Sequence, residues 1–106
     1  MTKNSLIPGA NQSHAVVHPE GDLVAARLPE LRARLRELVR TGAQQITIDL
    51  SCTEMVDSAG IGLLISANNS LKASGGQLEV VRASQDVLEL LKSMRLHQHF
   101  SISGKE

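Results

Sequence analysis

Asp57 and Ser58 stand side by side in the stretch EMVDSAGIGLLISANNSL, residues 54–71, a carboxylate next to a hydroxyl. Two glycines, Gly60 and Gly62, and a series of apolar residues at helical spacing follow them. The pattern marks a helix start, where Asp and Ser oxygens accept N–H groups that have no partner in the first turn. The same geometry suits chemistry on the hydroxyl. A phosphate on Ser58 would sit at the positive end of the helix dipole. It would add about −1.5 to −2 charges beside the Asp57 carboxylate. The glycines cost about 1 kcal/mol each in a helix relative to Ala, and the bare backbone they leave would let a partner surface approach closely.

Other chemistries fit less well. A hydrolase elbow needs Gly two residues before the nucleophilic Ser, and that position is Val56. A phosphate-binding Gly-Lys-Ser/Thr loop is absent from the sequence. His97 and His99 would share one face if they lay on a strand, but two ligands without a neighbouring carboxylate or cysteine make a poor metal site. Arg27, Arg32, Arg34, Arg36 and Arg40 crowd one segment with only Glu30 and Glu37 to oppose them. They read as a solvated basic face, or more sharply as a docking surface for an acidic partner, with Glu30 and Arg34 at pairing distance on a helix. No catalytic residue, metal ligand or cofactor is assigned.

The elements that must position these residues follow from periodicity. Ala15–Val17 precede a Pro–Gly punctuation and read as a short strand, and a further short strand is expected around Ser5–Ile7. Leu28, Leu31, Leu35, Leu38 and Val39 make the apolar stripe of a first helix, with Pro29 in its first turn and Gly42 as its stop. Ile46, Ile48 and Leu50 alternate with polar residues, as in a strand. The second helix starts at Ser58, buries Ile61, Leu64, Ile65 and Leu71, and stops at residues 74–76. QLEVV is the next strand. Ser84 is an N-cap candidate for a third helix with Val87, Leu88, Leu91 and Met94 inward, and HFSI, residues 99–102, is a final strand. Strands alternating with helices call for crossover connections and a sheet at least partly parallel.

The chain has 106 residues, 42% of them apolar, which suits one core. Eleven basic and eleven acidic residues cancel, and the one aromatic residue is Phe100. Neither net charge nor stacking surface favours a nucleic-acid partner. Cys52 is the single cysteine, so no internal disulfide can form. The N-terminal segment lacks the apolar core of a signal peptide, and no apolar run reaches the ~18 residues a membrane helix needs. The expectation is a cytoplasmic chain with no membrane partner: a flexible or short-strand tail over 1–13, then one domain over 14–106.

From about His14 to Ile102 the chain resembles a STAS domain, specifically the bacterial anti-sigma factor antagonists. The resemblance is carried by ITIDLSCTEMVDSAGIGLLISA and the GGQLEVV strand after it. It implies an α/β fold: a mixed β-sheet of four to five strands with about four helices packed on one face. It further implies a partner switch without enzymatic activity of its own. The unphosphorylated form would bind an anti-sigma factor with a serine-kinase, ATPase-type fold. Phosphorylation of Ser58 would release that partner, and a PP2C-type phosphatase would reset the system. Asp57, Ala59, Gly60 and Ile61, with Gly21 and Asp22 of the preceding loop, are the implied partner-binding residues. Val24 stands where such antagonists often carry Asp. The resemblance also covers an alternative: a STAS subunit of a larger regulatory or lipid-transport complex in which Ser58 is never phosphorylated.

Overall fold

The computed structural model describes residues 13–105. Strand β1 (His14–Val17) leads through a 3-10 turn (Ala25–Arg27) into helix α1 (Leu28–Arg40). Strand β2 (Gln45–Asp49) leads to helix α2 (Ser58–Ala73), and strand β3 (Gln77–Ala83) to helix α3 (Gln85–Ser93). A second 3-10 turn (Leu96–Gln98) precedes strand β4 (Ser101–Gly104). The expected strand at Ser5–Ile7 lies outside the described residues.

The strands lie in the order β1-β2-β3-β4, and every pairing is parallel. Among the described residues consecutive strands are joined by helical crossovers, and no hairpin reverses the chain. Each crossover steps in the same direction across the sheet. Right-handed connections then place all three helices on one face.

Burial follows that arrangement. Ile46, Ile48, Leu78 and Val80 are fully covered on the helix side, in register across β2 and β3. Leu64, Leu71 and Leu91 pack into the same core at full burial, each such side chain contributing about 1.5–3 kcal/mol. The opposite face is polar. The Thr47 hydroxyl donates to Glu79 Oε1 at 3.0 Å, His14 Nε2 lies 3.0 Å from the same hydroxyl, and Gln45 Nε2 donates to Glu79. A parallel sheet is usually apolar on both faces because helices cover both. Here the period-two alternation in QITID records that one face has no helix over it.

The helix boundaries agree with the sequence reading. Pro29 sits in the first turn of α1, and Gly42 ends it with φ +101°, a left-handed conformation open to glycine. Ser84 caps α3 by accepting from the Val87 N–H at 3.2 Å. Some side-chain expectations need correction. Ile65 and Met94 point to solvent, while Leu63, Ala67 and Asn68 are buried in α2. These inner positions wrap further around α2 than a narrow stripe, because the helix packs on both the sheet and α1. His97 lies in the 3-10 turn and His99 just after it, so the two are not neighbours on a strand, and β4 begins at Ser101. Glu37, not Glu30, forms the helical ion pair, with Arg40 at 2.6 Å.

Candidate functional site

Asp57 and Ser58 lie where the chain leaves the carboxyl end of β2 and enters α2. Asp57 is the N-cap: its Oδ1 accepts the Gly60 N–H at 2.9 Å. Its second oxygen, Oδ2, accepts the Ala25 N–H at 3.0 Å, from a residue 32 positions earlier. One carboxylate thus ties the start of α2 to the loop that precedes α1. The Gly60 N–H, followed by that of Ala25, holds the Asp57 carboxyl below its ordinary value of 3.8, because both bonds favour the ionised form.

The two segments are laced together on a longer front. Leu23 and Val56 form an isolated parallel bridge. The Leu23 N–H donates to Met55 O at 3.0 Å, and the Asp57 N–H donates to Leu23 O at 3.1 Å. Asp22 Oδ1 accepts from the N–H groups of both Glu54 and Met55. The buried Thr53 hydroxyl donates to Gly21 O at 2.8 Å. Gly60 packs directly beneath: a Cβ there would collide with the Leu23 carbonyl oxygen and lie 2.9 Å from both Leu23 Cβ and Val56 Cγ1.

Not all the sequence candidates occupy the surface. Ser58 is exposed at the first position of α2, and its hydroxyl has no hydrogen-bond partner among the described residues. Ala59 is half-buried. Gly60 and Ile61 are buried, so the bare backbone expected at Gly60 is filled by the chain's own Leu23. Gly21 and Asp22 are half-buried and spend their polar groups on residues 53–55. Met55, 59% exposed, and Gly62, whose missing side chain faces open space, complete the outer surface beside Ser58. Thr53, Leu23 and the Ala25 N–H were not singled out by sequence reasoning, because their partners lie about thirty residues away and no local pattern announces them.

Val24, which replaces a polar residue in the resemblance, precedes the 3-10 turn, and its carbonyl accepts the Arg27 N–H at 2.8 Å. A recess of about 420 Å³ beside it is lined in part by His18, Gly21, Asp22 and Arg27. The histidines are committed away from Ser58: His14 bonds Thr47, and His18 lies 3.2 Å from the Ser51 hydroxyl. On the same edge of the sheet, burial raises the Asp49 carboxyl. The Ser51 bonds and the charges of Arg82 and His18 outweigh it and leave it below 3.8. Among the described residues no group of three His, Cys, Asp or Glu side chains could hold a metal ion, and no helix is long and apolar enough to cross a membrane.

Residues 8–103 match the family model described as "Mlab, STAS domain". The chain belongs to the STAS domain family. Its STAS fold is shared with solved structures. A candidate anti-sigma factor antagonist from Thermotoga maritima superimposes with a TM-score of 0.78 at 21% identity, over 83% of this chain and 76% of that one. The Bacillus cell fate determinant SpoIIAA in its phosphorylated form gives 0.70 at 17% identity, over 86% and 83%. In sequence, this STAS domain is 27% identical over 95 residues to the anti-sigma-B factor antagonist of Bacillus subtilis (strain 168), covering 90% of this chain and 86% of that protein. The α/β class read from the sequence therefore holds, with three α-helices and four parallel strands among the described residues.

Proposed function

We propose that this STAS domain is an anti-sigma factor antagonist-like partner switch. In its unmodified form it docks on an anti-sigma factor of serine-kinase, ATPase-type fold, through the surface around Ser58. Phosphorylation of Ser58 releases the complex, and a PP2C-type phosphatase restores it. The setting is cytoplasmic, and the chain supplies no catalysis of its own.

The observation that carries this reading is the asymmetry at the start of α2. The carboxylate is locked by two backbone N–H groups, while the adjacent hydroxyl is exposed and has no hydrogen-bond partner among the described residues. A kinase can reach that oxygen without disturbing the fold. A phosphate added there competes with Asp57 for the same helix terminus and sets about three negative charges side by side. A contact made for a neutral hydroxyl would then face an unpaired, desolvated dianion. A hundredfold loss of affinity needs only ~2.7 kcal/mol, within reach of such a change. The likeness to an anti-sigma-B factor antagonist supports the partner class.

The test is intact-mass analysis after incubation with the serine kinase that binds this chain and ATP, paired with calorimetry of the complex. The expected result is one phosphate on the wild type, none on Ser58→Ala, and at least about a hundredfold weaker binding for Ser58→Asp. Complex formation indifferent to Ser58→Asp, with no phosphate gained, would overturn the switch. That outcome would favour the second reading, a STAS subunit of a larger regulatory or lipid-transport assembly.

A further inference from the structure

Helices α1 and α2 pack against each other but leave a groove of about 320 Å³ between them. Its floor is apolar: Leu35 and Leu63 are buried and Val39 is half-buried. On the α2 side the wall is low, because Ser66, Ala67 and Ser70 are all small. On the α1 side stand Arg32, Arg36 and Arg40, spaced four residues apart. That spacing puts three guanidinium groups in one row about 12 Å long.

The row is short of counter-charge. Arg40 bonds Glu37, but Arg32 and Arg36 have no carboxylate partner among the described residues. Helix α2 contributes no Asp or Glu along its whole length. Positive charge is therefore concentrated on one groove of a chain whose net charge is zero.

Shape and charge together select the occupant. A bilayer is reached by apolar side chains that project outward, whereas here the apolar atoms are recessed behind arginines. A nucleic acid strand would want aromatic stacking partners, and Phe100, the one aromatic residue, is buried elsewhere. A helix laid in the groove satisfies both features. Its apolar residues at three- and four-residue spacing reach the floor over the small α2 wall. Carboxylates along one flank form charge-assisted, forked hydrogen bonds with the guanidinium groups.

We propose that the α1–α2 groove is a docking site for an amphipathic helix of a partner protein with acidic residues along one edge. It is a second contact region on this STAS domain, lying one to three turns along α2 from Ser58, and it does not rest on phosphorylation of that residue.

The test uses a labelled helical peptide of about 18 residues, with Leu at three- and four-residue spacing and Glu at positions i, i+4 and i+8 on one flank. A control peptide has Gln in place of Glu, and vesicles of phosphatidylglycerol form a separate arm. Fluorescence anisotropy gives affinity, and amide chemical shifts give location. The acidic peptide is expected to bind with shifts clustered over residues 35–40 and 63–70. The Gln peptide should bind at least about tenfold more weakly, as should the Arg32→Glu/Arg36→Glu variant with the acidic peptide. Ser66→Leu fills the groove without changing charge and should also weaken binding. Ser58→Asp should leave it within about twofold, which separates this site from the switch. Circular dichroism checks that the variants fold. If the double variant does not, the Gln peptide and Ser66→Leu decide. Equal binding of the two peptides, shifts centred elsewhere, no saturation at millimolar peptide, or arginine-dependent binding to the vesicles in place of the peptide would each overturn the proposal.

Discussion

Two helices of this domain start in the same way and end up with different roles. Helix α3 begins after β3 with Ser84 accepting from the N–H three residues on, and the next side chain, Gln85, bonds Glu89 within the same helix. Everything at that terminus is local. Helix α2 begins after β2 with Asp57 accepting from the N–H three residues on, but its other oxygen holds a residue 32 positions away. Around it, Asp22, Leu23 and Thr53 add bonds between the same two segments. A cap alone is a structural device. A cap braced by a second segment, beside an exposed hydroxyl with no partner among the described residues, is a platform that presents one accessible oxygen.

The comparison breaks first at Gly60. If the platform depends on the close approach of Leu23, then Gly60→Ala should destabilise the domain by about 2 kcal/mol, against a gain of up to ~1 kcal/mol from helix propensity. Its thermal midpoint should fall by several degrees. A midpoint at or above wild type would show that the loop is free to give way.

The two caps offer the next contrast. Ser84→Ala should cost about 1 kcal/mol, and Asp57→Ala should lower the melting temperature further, since it also releases the Ala25 N–H. Equal losses would reduce Asp57 to an ordinary cap. The charge can be isolated with Asp57→Asn, which keeps a capping oxygen. Because folding lowers the pKa of Asp57, its contribution is present above the unfolded value of 3.8 and is lost as pH falls through the lower folded value. Urea midpoints measured from pH 7 downward should therefore fall less steeply below about pH 4 in Asp57→Asn than in wild type.

The smallest effect sharpens the picture. Gly62→Ala adds a Cβ that meets nothing, so it should stabilise α2 by about 0.5–1 kcal/mol. Loss of partner binding in that stable variant, read by calorimetry, would place Gly62 in the docking surface. Unchanged binding would leave Gly62 outside that proposed surface.

Much of the architecture could be read from residue order. The stripe Leu28, Leu35, Val39 and the alternation Ile46, Ile48, Leu50 each record which side faces the core, because burial imposes its period on the local sequence. Ile65 and Met94 were misplaced because a helix packed on two neighbours buries a wider arc than one stripe shows, and the arc's edges depend on where those neighbours sit. His99 was misread as part of a strand because short segments are bounded by tertiary contacts more than by their own propensity.

What the sequence determined by itself is a set of local facts: where each helix begins, which residues face inward, and that a carboxylate and a hydroxyl share one helix terminus. Only the tertiary structure decided which of those residues are exposed. Asp22 and Asp57 look alike as acidic residues near turns, yet both are spent on backbone N–H groups of a distant segment. Gly60 and Gly62 look alike as helix glycines, yet one is pressed against Leu23 and the other faces open space. The reason is range. Capping and periodicity act over three or four residues, while the bonds that brace the Ser58 turn and the groove between α1 and α2 join positions about thirty residues apart, which meet only when the crossovers bring the strands side by side.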